Sequence, residues 1–436
     1  MAGSRTLEDV LAGRWLTPAT GAAPAIPIDS LVLETSLDGA EVDLLAPLGL
    51  GDRLAVVCDA NTYAALGERV ERALAHRWRI DRVILADPHA DQATVRALQD
   101  RTQAADALVA VGAGTINDLC KYATLLDGRP FVTFATAASM NGYTSTTAAI
   151  TDNRGFKRSL PAHAPRGLFM DLQVMAGAPA FLTRSGLGDC LCRSTAQVDW
   201  LMSHLLRDTH YDDSPFQLQA ADEAELLARA GDLDTGDLDA VDALVRVLTL
   251  CGLGVLYTGT SHHGSMSEHL VSHFIDMFAG PEHPGTLHGH QVGVAAVSMA
   301  DLQRRILMRG TPPEVSATAI DADDLSRRYG AEIGANCRRQ WQAKALDSAG
   351  AAEVNRRLRA DWEDLRGRLL AHSLPSERLA ATLRSCGAPA SAQELCLPSA
   401  FYRGAVRHAR EIRDRWSILD LAGDAGELES FAAEAA

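Results

Sequence analysis

Ala107-Leu-Val-Ala-Val-Gly-Ala-Gly-Thr-Ile-Asn-Asp-Leu-Cys-Lys121 decides the fold. Ala107–Val111 is a short continuous apolar run, as in a strand buried on both faces. It ends in Gly112-Ala-Gly114 and opens into a helical pattern. Two glycines at that junction let a diphosphate approach the backbone, and the helix start offers unpaired N–H groups. The turn is not the full dinucleotide fingerprint, because Asn117 occupies the third glycine position. A plain tight turn fits the stretch equally well. Asp118 and Lys121 are three residues apart and share a helix face, which a surface ion pair would also explain.

The same texture repeats on either side. Leu54–Cys58, Arg82–Ala86 and Pro130–Phe134 read as further strands, and Tyr63–Arg77 and Ala93–Arg101 as helices. Strands that alternate with helices argue a parallel sheet with crossover connections. From about Pro179 the pattern changes to helical spacing. Ala220–Ala230, Leu238–Leu253, Val354–Leu370 and Phe401–Ile412 predict helices. The expected architecture is an α/β, Rossmann-like domain over 1–177 and an all-α domain over 178–436. Ligands of open parallel sheets bind outside the carboxyl ends of the strands, so the site is expected there and between the domains.

Composition narrows the function. The chain has 436 residues, 47% of them hydrophobic and 22% charged, with a formal net charge of −15. Such length suits two domains. The acidic balance and the lack of a basic patch speak against nucleic acid and anionic membranes. No run of about 18 apolar residues stands out, so no membrane span is expected. The opening MAGSRTLEDVLAGRW has no apolar core of a signal peptide. The eight cysteines form no CxxC pair, which fits reduced thiols in a cytoplasm.

Three further stretches carry chemistry. Thr136-Ala-Ala-Ser-Met-Asn-Gly-Tyr-Thr-Ser145 follows the fourth strand and offers small residues and hydroxyls at its carboxyl end. Gly186-Leu-Gly-Asp189 holds an aspartate that reads alone as a helix N-cap. Six of the 14 histidines fall at 262, 263, 269, 273, 283 and 288. His269 and His273 share a helix face, and His288 or His290 could open another helix. Imidazoles with a carboxylate form a common shell for Zn²⁺ or Fe²⁺.

Taken in order, GxGTINDLxKY, TAASxxGYTS, GxGDxLxxxxAxxDW, SEHxxSH and HGxQVG resemble the sn-glycerol-1-phosphate dehydrogenases. These form part of the metal-dependent branch that includes glycerol dehydrogenase, iron-containing alcohol dehydrogenases and dehydroquinate synthase. Ile412-Arg-Asp-Arg-Trp-Ser-Ile-Leu-Asp-Leu421 also resembles that subfamily's ending, whereas 301–400 matches loosely. The resemblance implies a dehydroquinate synthase-like fold. It implies that Asp59 contacts the ribose of NAD(P), and that Gly112, Gly114 and Thr115 cradle the diphosphate. Asp118 and Lys121 match the dinucleotide-side pair, and Thr136, Ser139 and Ser145 line the nicotinamide side. Asp189, His269 and His288 would hold one Zn²⁺, Fe²⁺ or Ni²⁺, with His273 and Asn141 beside the substrate. His273 is the candidate proton donor.

The implied enzyme is a cytoplasmic, homo-oligomeric dehydrogenase of a small polyol or polyol phosphate, such as glycerol 1-phosphate. Two departures bear on the substrate. Asn141 stands where the family usually carries Asp. Ser261-His-His-Gly-Ser-Met266 stands where it usually reads SRPASG, so an arginine that could hold a phosphate is replaced by His262 or His263. A dehydrogenase of another polyol, a dehydroquinate synthase-like cyclase, or a relative that has lost catalysis are the alternatives.

Overall fold

A computed structural model describes residues 6–435, apart from 19, 24, 154 and 156. Six parallel strands form the main sheet, in the order β1-β8-β5-β4-β2-β3. They are β1 (Ser30–Glu34), β2 (Arg53–Asp59), β3 (Arg79–Leu85), β4 (Ala107–Gly112), β5 (Phe131–Ala135) and β8 (Gly167–Asp171). Between β5 and β8 the chain makes an antiparallel hairpin of β6 (Thr147–Thr151) and β7 (Lys157–Pro161).

All four expected strands are present within a few residues. β4 and β5 are buried at every position, as continuous apolar runs require. β3 begins earlier than Arg82. Its first residues, Arg79 to Arg82, are partly or fully exposed on an edge strand, where charge is tolerated and blunts edge pairing. β1, β8 and the hairpin have no counterpart in the sequence reading.

The helices mostly lie where periodicity places them. The stretch 354–370 is the exception. It is two helices, Ser348–Ala360 and Trp362–Leu370, because Asp361 leaves helical geometry and its carboxylate accepts from Asp364 N at 3.1 Å.

The chain folds into two compact units that are not successive halves. One comprises 1–187 and 217–260, and the other 188–216 and 261–436. The expected boundary at 177/178 falls inside the first unit. Leu238–Thr258 joins that unit because its apolar face packs there: Leu250 and Leu253 cluster with Leu7, Val10, Ile28 and Leu218. Contrary to the sequence reading, this helix is long and apolar enough to cross a membrane by composition, with a mean hydropathy of 1.7. Two thirds of that window, 67%, is buried inside the protein, as in a core helix.

The same helix supports the loop that follows β5. Gly252 lies so close that an added Cβ would stand 2.2 Å from Thr144 Oγ1 and 2.4 Å from Asn141 O. Thr144 Oγ1 also donates to Thr249 O at 3.0 Å. Gly252→Ala should therefore displace the 141–145 loop and cost about 1–3 kcal/mol. A thermal midpoint within about 1 °C of wild type would contradict that contact.

Candidate functional site

In the first unit, the helix Gly114–Asp127 starts directly at the end of β4. A Cβ on Gly112 would come within 2.6 Å of the Ile116 side chain, so the turn admits only glycine there. Gly114 has room limited only by Met140, whose Cγ would lie 3.2 Å from an added Cβ. Thr115 is exposed in the first turn. A bare backbone at the start of a 14-residue helix fits an anionic diphosphate.

Asp59 closes β2 and caps the next short helix. Its carboxylate accepts from Thr62 N at 2.9 Å, while its own N–H donates to Thr62 Oγ1 at 3.0 Å. Thr136, Ser139 and Ser145 are buried, and Asn141 is half-buried.

Asp118 and Lys121 are not a surface ion pair. Lys121 is fully buried, and its ammonium donates to Gly142 O (2.6 Å), Ser145 O (3.0 Å) and Thr147 O (3.3 Å). Asp118 accepts from Ala149 N at 3.0 Å and from Asn117 Nδ2 at 3.0 Å. Both side chains thus fasten the loop and the start of β6.

The second unit holds the histidine cluster. Asp189 lies inside the long helix Ala180–Arg207, not at a helix start, so its capping role is overturned. His269 is on the helix Ser267–Phe278, and His288 opens the helix His288–Leu307. Glycines let two of these helices meet. A Cβ on Gly188 would stand 2.1 Å from Gly289 O, and one on Gly293 would stand 3.0 Å from Gly188 Cα. Asp189 and His288 are the immediate neighbours of that contact.

One ligand atom each of Asp189, His269 and His288 lies within 4.8 Å of the others. His269 Nε2 and Asp189 Oδ1 are 3.5 Å apart. A tetrahedral ion with bonds near 2.1 Å sets its ligand atoms about 3.4 Å apart, so the spacing fits.

The hydrogen bonds behind the ligands also fit an ion. Glu268 accepts from His269 Nδ1 at 3.0 Å, which leaves the Nε2 lone pair facing Asp189. Glu268 itself is saturated by Met266 N at 2.7 Å and Thr195 Oγ1 at 3.0 Å. His288 is fixed by a longer relay. Gln291 Nε2 donates to Asp276 Oδ1 at 3.1 Å, which turns its Oε1 toward Ser272. Ser272 Oγ donates to that oxygen at 2.8 Å and so must accept from His288 Nδ1 at 2.9 Å. In its neutral form each histidine therefore carries its proton on Nδ1 and leaves the Nε2 lone pair open, as metal ligands need. Burial works against a proton on His269, but Asp189 and Glu268 outweigh it and raise its pKa. Acid and metal compete for the same atom.

His273 is next to the cluster, its ring centroid 5.5 Å from that of His288. Arg413 Nη2 lies 3.3 Å from His273 Nδ1. A guanidinium can only donate, so His273 Nδ1 accepts and its proton resides on Nε2.

Sequence reasoning singled out Asp189, His269 and His288 but missed the groups behind them. Glu268, Ser272 and Gln291 were visible only as letters within SEHxxSH and HGxQVG. Asp199, the aspartate that with Trp200 ends the pattern GxGDxLxxxxAxxDW, lies outside the group of Asp189, His269 and His288. It is buried and accepts from Gln303 Nε2 (3.0 Å), Ile418 N (3.0 Å) and Ser267 N (3.2 Å). It thereby caps the helix that carries His269. Burial, reinforced by Glu268, pushes its pKa up to about 7.

Comparisons with known proteins give the family and the fold. Residues 32–179 match the family model described as iron-containing alcohol dehydrogenase. A glycerol-1-phosphate dehydrogenase [NAD(P)+] of Methanothermobacter thermautotrophicus is 32% identical over 251 residues, 57% of this chain and 71% of that protein. The like-named protein of Halalkalibacterium halodurans is 33% identical over 264 residues, covering 57% of this chain and 64% of its own length. That of Bacillus subtilis is 28% identical over 374 residues, 84% of each. The chain belongs to the iron-containing alcohol dehydrogenase family and is an alcohol dehydrogenase-like enzyme. Its fold matches a probable glycerol dehydrogenase from Sinorhizobium meliloti, at a TM-score of 0.61 and 17% identity, over 93% of this chain and 98% of that one. It also matches the NADH-dependent butanol dehydrogenase A from Thermotoga maritima, at 0.59 and 13%, over 94% and 97%.

Two predictions follow from the site's construction. Calorimetric Zn²⁺ titration should show binding abolished in Asp189→Ala and weakened about 10–100-fold in Ser272→Ala, which loses only the grip on His288. Wild-type affinity in Ser272→Ala would show that the relay does not orient the ligand.

The second concerns Lys121. Burial pushes its pKa down to about 8, with Asp118 pulling the other way. An unfolded lysine titrates near 10.4. Between these values the unfolded chain binds the extra proton, so this residue's contribution to stability rises with pH across that window. Below about 8 both states are protonated and the slope vanishes. Thermal midpoints at pH 7.5 and 9.5 should shift in favour of wild type relative to Lys121→Met at the higher pH. A constant gap would refute the assignment.

Proposed function

We propose that the protein is a cytoplasmic, metal-dependent dehydrogenase that interconverts dihydroxyacetone phosphate and sn-glycerol 1-phosphate with NAD(P)H. The observation that carries this reading is the 3.5 Å approach of His269 Nε2 to Asp189 Oδ1, with both histidines held through Nδ1. The printed names of the sequence relatives supply the substrate.

When bound, NAD(P)H supplies the hydride and the divalent ion supplies Lewis acidity toward the carbonyl oxygen. Asp189, His269 and His288 would hold the ion. Gly112, Gly114 and Thr115 would receive the diphosphate at the helix start. Asp59, at the end of β2, would take the ribose hydroxyls and disfavour a 2′-phosphate, which favours NAD. Lys121 holds the 142–147 backbone in place and so orients Ser145 and its neighbours. His273 presents Nε2–H, a hydrogen-bond donor for a substrate oxygen. Asn141 offers a neutral amide to a substrate hydroxyl. That neutrality favours a second reading, a dehydrogenase of another polyol.

The test is NADH oxidation with dihydroxyacetone phosphate, using protein loaded with Zn²⁺, Fe²⁺ or Ni²⁺ and a metal-stripped control. Metal-dependent turnover is expected. No turnover by protein shown to bind both metal and NADH would overturn the glycerol-phosphate assignment.

A further inference from the structure

The short segment Ile412–Trp416 brings two guanidinium groups into the second unit's site. Arg413 reaches His273 Nδ1 at 3.3 Å, and the His273 ring lies against that of His288. One imidazole thus separates the Arg413 fork from the cluster of Asp189, His269 and His288.

Arg415 contacts the loop that departs from the family pattern. It donates to Ser261 Oγ at 2.7 Å and to the carbonyl of Ser265, bracketing His262, His263 and Gly264. No carboxylate among the described residues lies within ion-pair distance of Arg415. Asp414 and Glu268 act on it only from farther away. Arg413 is close enough to oppose its charge, second only to burial. Partly buried arginines normally have acidic partners. Among the described residues Arg415 has no such partner, in a chain of net charge −15.

The two loop histidines do not replace the missing arginine. His263 is 1% exposed, and the His262 ring packs 5.5 Å from Trp200. Burial and the nearby Arg415 push the His262 pKa down to about 3, so it carries no charge at neutral pH. The fixed positive charge at this place comes from 413 and 415 instead.

We infer that Arg413 binds the phosphate of a polyol phosphate substrate, and that Arg415 is a positioning residue that holds the 261–265 loop beside it. The inference rests on the proposed polyol-phosphate reading. A guanidinium offers paired N–H donors that match phosphate oxygens, and its charge persists at every working pH.

The experiment compares wild type, Arg413→Met and Arg413→Lys, each loaded with Zn²⁺ and checked for metal content and thermal midpoint. Two readouts are taken. The first is the ratio of kcat/KM for dihydroxyacetone phosphate to that for dihydroxyacetone. Damage to His273 or to the fold affects both substrates and cancels in this ratio. The second is the affinity for inorganic phosphate by calorimetry, which needs no turnover. Loss of a charged hydrogen bond predicts a fall of about 10- to 100-fold in both for Arg413→Met. Arg413→Lys should recover part of it, mainly through KM. An unchanged ratio and unchanged phosphate affinity in Arg413→Met would overturn the inference. If Arg413→Met does not fold, Arg413→Lys decides alone, because it keeps the charge and loses the fork: an unaltered ratio and phosphate affinity then overturn it. Wild-type protein that binds phosphate through Arg413 but does not reduce dihydroxyacetone phosphate would sink the proposed reaction while leaving the anion site standing.

Discussion

The cluster of Asp189, His269 and His288 depends on one steric contact, the meeting of Gly188 with Gly289 and Gly293. Backbone touches backbone there, with no room for a methyl group. Asp189 and His288 flank that contact, so the separation of two ligand-bearing helices is set by main-chain radii instead of by compressible side chains. Interiors packed at crystal density transmit such a constraint with little slack. The third helix is pinned separately, through Asp199 and the N–H of Ser267.

Orientation is a second, independent problem, and hydrogen bonds solve it. An imidazole has two nitrogens, and the wrong tautomer would point a proton into the space between Asp189, His269 and His288. Glu268 sets His269 in one step. His288 is set at the end of a chain that starts at Asp276, an acceptor that fixes Gln291, then Ser272, then the ring. Every group in that chain is committed by its neighbour, as buried polar networks require. The cation at Arg413 applies the same logic to His273, with the opposite tautomer as the result.

What could be read from the sequence follows from range. Fully buried strands such as β4 announce themselves because five or six apolar residues in a row have few other uses. β8, Gly167-Leu-Phe-Met-Asp171, is as buried, but its apolar run is only Leu168-Phe-Met170, too short to distinguish from a piece of core helix. Asp189, His269 and His288 were legible as residue types in a recurring order. Their supports were not, because Ser272 and Gln291 act 19 residues apart and Asp199 acts on partners at 267, 303 and 418. Lys121 shows the converse error. Spacing placed it correctly on a face with Asp118, but only burial shows that the face meets a loop and not solvent.

The path of the chain between the two units has a consequence for biosynthesis. The first unit uses 1–187 and then 217–260, so it lacks its apolar helix Leu238–Thr258 until that segment has been made. A nascent chain leaving the ribosome holds all six strands by residue 171, yet Leu7, Val10 and Ile28 have no partner at Leu250 and Leu253. The interval of translation between those points exposes an oily surface. That interval is when the polypeptide is most open to chaperone capture or aggregation. Expression trials that truncate the chain before residue 260 would make that transient exposure permanent.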